Sequence, residues 1–230
     1  MPAEIARVIA IDTSTQLCGL CLYSRGQVIA EDCWHSARTH TVEAMPAVSR
    51  MLARAGLQPA QLDGVVAGLG PGSFTGLRIG LSIAKGLALA LHVPLVGICT
   101  LDAIAYAHAD RCLPIFAATR AGRGRFCTAR YSARHGTVER VSEFQVLARE
   151  AFALDAEGRT LFCGELTGDD GEYLRGQFRD QAVLPAPSGL FRRPAYLAEL
   201  GWARLARGEA DDLATLAPIY ASQTQGQKTA

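Results

Sequence analysis

Two short segments hold the side chains best placed to do chemistry. In Ile9-Ala10-Ile11-Asp12-Thr13-Ser14-Thr15, an acid and three hydroxyls follow an apolar run that reads as a strand. The same residues could close that strand with an Asx or Ser/Thr turn. In Gly70-Pro71-Gly72-Ser73-Phe74-Thr75-Gly76, three glycines, a serine and a threonine precede a helical run. Such a loop can turn backbone N–H groups toward an anion at a helix N-terminus. No Lys-Ser/Thr pair follows the last glycine, so it is not a P-loop. Ser73 is not in G-x-S-x-G, so a hydrolase elbow is not supported. The competing reading is a tight strand-to-helix turn capped by Ser73 or Thr75.

Other reactive residue types give less. Cys18-Gly19-Leu20-Cys21 is a C-x-x-C, but it falls in a predicted strand, where odd spacing sends the sulfurs to opposite faces and away from a shared zinc. His35 and His40 flank the start of a helical stretch, a surface or interface position. Arg120, Arg123, Arg125, Arg130 and Arg134 form a basic cluster, either a solvated hairpin or a contact for a partner or a nucleic-acid backbone. No Ser-His-Asp set is placed for a protease or related hydrolase.

The elements that must position these residues follow from periodicity. Arg7–Ile11, Cys18–Tyr23 and Gln27–Trp34 read as strands, the last two joined by Ser24-Arg25-Gly26. Helical spacing of Val42, Met45, Val48 and Leu52 predicts a helix over Thr39–Ala55, started, kinked or split by Pro46. Strand Gly64–Gly68, helix Phe74–Leu91, strand Pro94–Ile98 and helix Leu101–Ala109 follow. The second half repeats the order. Leu113–Ala118, Arg125–Tyr131 and Thr137–Phe144 read as strands, Leu147–Ala153 as a weak helix and Thr160–Cys163 as a strand. Helix Gly171–Phe178, strand Ala182–Leu184 and helix Pro194–Arg207 complete it. The polar tail Thr224–Ala230 is expected to be disordered.

Three meander strands followed by alternating helix and strand, twice over, describe a duplicated α/β unit. This is the plan of the actin-like ATPase and sugar-kinase fold (ribonuclease H-like), in which nucleotide sits between two lobes. There the first hairpin wraps phosphate and an Asp placed like Asp12 orients a metal-bound water. The first lobe is expected over 1–110 and the second over 111–230, with the last helix able to pack back on the first lobe.

Composition agrees with a globular protein: 49% of residues are hydrophobic, 20% are charged and the net charge is +1. No global charge recruits nucleic acid or membrane. No secretory signal is visible near Met1–Arg7. The apolar stretch Leu77–Leu91, broken by Arg78 and Lys85, is expected to be too short to span a bilayer. Seven scattered cysteines suit reduced thiols in a cytosol.

The segments Ile9–Ser14 and Gly70–Gly80, the latter followed by Ala84-Lys85-Gly86-Leu87-Ala88, resemble the TsaB (YeaZ) family. The resemblance continues through Pro94-Leu95-Val96-Gly97 and Leu101-Asp102-Ala103-Ile104-Ala105, and returns at Pro218-Ile219-Tyr220. The Gly-rich run carries most of its specificity; the second half matches in layout more than in residues. It implies a dimerisation subunit of the complex that makes threonylcarbamoyladenosine in tRNA. The catalytic paralogue, of TsaD type and similar fold, holds a metal with two histidines four apart on the helix after the strand corresponding to Pro94–Ile98. Those places correspond to Thr100 and Ile104, which cannot supply imidazoles; His92 and His108 have the wrong spacing. The resemblance therefore implies a chain with no catalytic residues of its own. Two departures stand out. Ala118-Thr119-Arg120 replaces an Asp-Ala-Arg-like strand end, and Ser222 or Gln223 stands where an Arg is usual.

In helix Phe74–Leu91, Gly76, Gly80, Ala84 and Ala88 recur every four residues as a small-residue stripe. It packs either within its own lobe or against another helix. Because the family pairs through first-lobe helices, the stripe, with Met45 and Leu52, is expected at a partner interface. The expected partners are the TsaD-type paralogue and the TsaE-type ATPase subunit, with a homodimer in isolation, tRNA reached indirectly, no membrane and a cytoplasmic location. Asp12, Thr13, Ser14, Gly70, Gly72, Ser73, Thr75 and Gly76 remain the candidate nucleotide site. No cofactor is expected unless nucleotide binds at or near the partner interface. The rival reading is an active small-molecule kinase or ATPase of the same fold. It needs a second-lobe acid where Thr119 stands.

Overall fold

A computed structural model describes residues 5–36, 40–155 and 158–220. They form two compact units, one running to Thr100 and resuming over Arg193–Ile219, the other spanning Leu101–Arg192. The division thus falls ten residues before Asp110, at the start of a helix, and the last helix belongs with the first unit.

In the first unit, β1 (Arg7–Asp12) is buried on both faces, which demands a helical layer on each side of its sheet. The sheet also contains β2 (Leu17–Ser24), β3 (Gln27–His35), β4 (Gly64–Gly70) and β5 (Leu95–Cys99), in the order β3-β2-β1-β4-β5. The first three strands are antiparallel; β1, β4 and β5 are parallel. On one face, Ile9, Ile11, Leu20 and Leu22 meet α1 (His40–Arg54) and α2 (Phe74–Leu91) through Val48, Leu52, Leu81 and Ala84. On the other lies α5 (Pro194–Ala206), approaching so closely that a Cβ on Gly201 would collide with Val66. Beyond it the chain follows the sheet. Asp211 N–H donates to the Leu95 carbonyl at 2.8 Å and Ile219 N–H to the Leu69 carbonyl at 2.8 Å. Arg204 holds the Asp211 carboxylate at 3.0 Å. The Pro218-Ile219 motif is thereby tied to β4.

Pro46 lies inside α1 without splitting it. Thr39 and the tail Thr224–Ala230 lie outside the described residues. Helix α2 is longer than the stretch Leu77–Leu91 because Ser73 caps it one turn earlier. At 18 residues it is long and apolar enough to cross a membrane by length and composition only, a test that the core helix of a globular protein also passes. Its buried residues, Leu77, Leu81, Ala84 and Ala88 among them, pack on its own unit.

The second unit begins at Leu101, within α3 (Thr100–Tyr106), and repeats the sheet plan. Its strands are β6 (Ile115–Gly122), β7 (Arg125–Arg134), β8 (Thr137–Arg140), β9 (Gln145–Ala148), β10 (Thr160–Gly164) and β11 (Ala182–Val183). The order is β8-β7-β6-β10-β11, with β9 also paired to β7. Helix α4 (Gly168–Phe178) covers a core of Phe116, Phe126, Phe152, Phe162 and Leu174. The segment expected as a weak helix, Leu147–Ala153, is instead the end of β9 and a 3-10 turn. In β9, Val146 and Leu147 pair with β7, opposite Cys127 and Phe126. The duplicated actin-like plan expected from element order is therefore the observed fold.

Candidate functional site

In the first unit the two predicted segments meet. Asp12 Oδ1 accepts from Ser14 N–H at 2.9 Å and from Ser14 Oγ at 2.6 Å, closing the Asx turn. All three of Asp12, Thr13 and Ser14 are buried. The glycine loop lies on them: Ser73 N–H donates to the Ser14 carbonyl at 2.6 Å, and Thr13 Oγ1 to the Gly76 carbonyl at 2.7 Å. A Cβ on Gly72 would run into the Ser14 carbonyl, and one on Gly76 into the Thr13 carbonyl. Ser73 caps α2 by accepting from Gly76 N–H at 3.3 Å. Thr75 is exposed and makes no cap. Gly70 has φ +98°, and the Gly70–Pro71 bond is cis. The glycines thus permit backbone-on-backbone packing of α2 against the β1–β2 turn, and the hydroxyls of Thr13 and Ser14 are engaged within the chain.

The second unit builds a counterpart that the sequence did not reveal. Gly164, at the end of β10, has φ +102°, and Thr167, three residues on, caps α4. This repeats Gly70 and Ser73 after β4. A G-x-x-[ST] spacing at the two strand ends was the available signal, too short to notice without the fold. At the end of β6, Thr119 Oγ1 and Arg120 N–H both donate to Glu165 Oε2 at 2.7 Å. Arg192 lies 3.7 Å from the other Glu165 oxygen. Arg120 Nη2 contacts Asp170 at 2.6 Å and Arg149 Nη1 contacts it at 3.4 Å. Burial alone would raise the Asp170 carboxyl, but hydrogen bonds from the Thr167 backbone and hydroxyl, then Arg120 and Arg149, hold it below the usual range. Glu165 and Asp170, the acids beside Thr119 and Arg120, are thus engaged by partners within the unit.

The small-residue stripe requires a correction. Gly76, Gly80, Ala84 and Ala88 are all buried, and Leu52 is 3% exposed. A Cβ on Gly80 would strike the Thr13 hydroxyl. The stripe lets α2 sit close to its own β1–β2 turn and sheet, so these five residues are interior and not a partner surface. Met45, by contrast, is 39% exposed. It stands with Val42 on α1 at 67%, and Leu89 on α2 is 66% exposed. Ser49 and Ala53 on α1, and Ser82 and Gly86 on α2, are also exposed, and a Cβ on Gly86 would point into open space. Each of these two contacting helices therefore leaves apolar and small residues exposed.

Cys18 and Cys21 are both buried, and burial, with Glu31 nearby, pushes the Cys21 thiol up to about 12. His40 Nδ1 is 2.6 Å from Ser36 Oγ, while His35 is exposed. Thr100 is buried with its Oγ1 unpartnered, and Ile104 is buried. Among the described residues no three His, Cys, Asp or Glu side chains cluster as metal ligands. In the basic cluster, Arg120 and Arg130 are committed to Asp170 and Asp155, whereas Arg123, Arg125 and Arg134 are exposed. Ser222 and Gln223 lie outside the described residues.

Two sheets of one topology, each ending in a glycine turn and a capped helix, define a protein of the actin-like α/β class. A family model described as "TsaD: tRNA N6-adenosine threonylcarbamoyltransferase" matches residues 34–159, more than half of the chain. The chain is 33% identical over 219 residues to the tRNA threonylcarbamoyladenosine biosynthesis protein TsaB of Bacillus subtilis, covering 93% of each. Among solved structures, YeaZ from Pseudomonas aeruginosa superposes with a TM-score of 0.77 at 26% identity, over 94% of this chain and 99% of that one. The ethanolamine utilization protein EutJ from Carboxydothermus hydrogenoformans shares the fold alone, with a TM-score of 0.52 at 12% identity over 87% and 92% of the two chains. The chain belongs to the broad family that this model describes and, more narrowly, to the TsaB (YeaZ) family.

Proposed function

We propose that this chain is a cytoplasmic, non-catalytic partner subunit in the making of threonylcarbamoyladenosine in tRNA, and that it binds and organises a catalytic paralogue of TsaD type. The observation that carries the reading is the exposure of the apolar side chains Val42 and Met45 on α1 and Leu89 on α2. Exposed apolar patches rimmed by polar residues mark association surfaces. The occupant follows from kinship. A paralogue covered by the same family model carries equivalent helices, and like faces pair across a two-fold or pseudo-two-fold axis. In isolation a second copy of this chain takes the same place. A TsaE-type ATPase subunit joins the assembly elsewhere.

The absence of catalysis is supported by Thr100 and Ile104 at the metal positions, and by the internal engagement of Thr13, Ser14, Thr119, Glu165 and Asp170. The chain carries no cofactor of its own, and any nucleotide is held at or near the partner interface.

The test is a paired variant, Met45→Asp with Leu89→Asp, studied by sizing and by calorimetry against the TsaD-type paralogue. Association is expected to fall at least tenfold, as for loss of a central apolar anchor, while the melting temperature stays within about 2 °C because both sites are on the surface. Unchanged affinity for the paralogue overturns the assignment of this face.

A further inference from the structure

Five arginines of the second unit are matched to carboxylates: Arg120 and Arg149 to Asp170, Arg130 to Asp155, Arg140 to Asp102 and Arg192 to Glu165. Arg159, Arg175 and Arg179 are different. All three are exposed, and none has a carboxylate partner among the described residues. They come from three elements: the approach to β10, the last turn of α4, and the turn that leads into β11. Yet they line one groove of about 850 Å³, in which Asp180 is the sole acid among the described lining residues and Ala182, Val183 and Leu184 form an apolar wall. One exposed arginine is merely solvated. Three drawn to a single concavity repel one another, and nothing in the fold requires it: the neighbouring core of Phe116, Phe162 and Leu174 is complete without them.

We propose that this groove binds the phosphodiester backbone of RNA, so that the chain contacts tRNA directly. Guanidinium forks match phosphate oxygens in pairs, where an ammonium offers a point charge. Their planar faces and the apolar wall also suit an unstacked base. The choice of RNA rests on the reading of the chain as part of tRNA modification, but the groove is distant in sequence from the helices assigned to the partner and is tested separately.

The experiment measures binding of fluorescently labelled tRNA to the full chain by anisotropy across a potassium chloride series. In the triple variant Arg159→Ala, Arg175→Ala, Arg179→Ala, affinity at low salt is expected to drop about tenfold or more. The slope of log K against log salt should shrink by about 2–3, near one unit for each phosphate that is no longer neutralised. The triple lysine variant keeps most of the salt slope. Unaltered melting of both variants separates charge from folding. Arg25→Ala, with Arg207→Ala, in the first unit, leaves tRNA binding unchanged. Equal tRNA affinity of the wild type and the alanine variant, or no wild-type binding at low salt, overturns the proposal. So does ATP displacing tRNA at micromolar concentration with its own binding lost in the alanine variant, which would make the groove a site for free nucleotide. Binding of the TsaD-type paralogue should be the same for the wild type and the triple variant. A failure of paralogue binding in both would refute the partner reading and leave the RNA result standing.

Discussion

Replacing Gly76 by alanine decides whether the glycine loop serves a ligand or the fold. The new methyl would sit against the Thr13 carbonyl oxygen, a backbone atom that cannot rotate away. Either α2 lifts from the β1–β2 turn, or the turn deforms. Overpacking of this kind costs about 1–3 kcal/mol. Lifting also stretches the 2.7 Å bond from Thr13 Oγ1 to the Gly76 carbonyl, worth about 1 kcal/mol. Against this stands the better helix propensity of alanine, about 1 kcal/mol at most. The net expectation is a loss of about 1–3 kcal/mol. Gly86, in the same helix, is exposed with nothing near its Cα, so Gly86→Ala should stabilise by about 0.5–1 kcal/mol. Both tryptophans, Trp34 and Trp202, lie in the first unit, so intrinsic fluorescence in a urea titration reports that unit by itself. A Gly76→Ala protein as stable as the wild type, without ligand, would refute the packing role. The glycine would then have been kept for something other than the fold.

Two further outcomes follow from the charged and thiol groups. Asp170→Asn should cost about 1–3 kcal/mol at pH 7, since it removes the buried negative charge and one of the two acceptor oxygens that serve two arginines and the α4 cap. Because the folded-state carboxyl is held below its usual value, this stabilisation is complete above about pH 4 and disappears as pH falls through the lowered value. The gap between wild type and variant in thermal melts should therefore close in acid; a gap independent of pH would refute the ion-pair account. Cys21 and Cys163 are buried thiols pushed upward chiefly by desolvation, whereas Cys112 is exposed. A thiol reagent should modify Cys112 within minutes and reach the other two only on unfolding; rapid labelling of Cys21 in the native protein would show that β2 is open.

The order of elements, the duplicated plan and the two turn segments were legible in the sequence because they depend on local pattern: period-two strands, helical spacing and glycine with capping residues. Resemblance then gave the family from eleven residues around the glycine loop. Element boundaries slipped where pattern is short. Leu147–Ala153 looked helical and became part of β9, because an unpaired stretch of β7 captured it.

What the tertiary structure alone decided is which side of a helix faces in. Helix α2 is apolar over most of its circumference, so its sequence does not fix its rotation about its own axis. The sheet fixes it, since only glycine fits against the Thr13 backbone and hydroxyl, and that turned the small-residue stripe inward and left Leu89 outside. The same holds for the acids of the second unit. Glu165 lies 46 residues from Thr119 and Asp170 lies 50 from Arg120, and no local period joins residues so far apart. Parallel pairing of β6 with β10 sets them side by side, and that register exists only once the chain has folded.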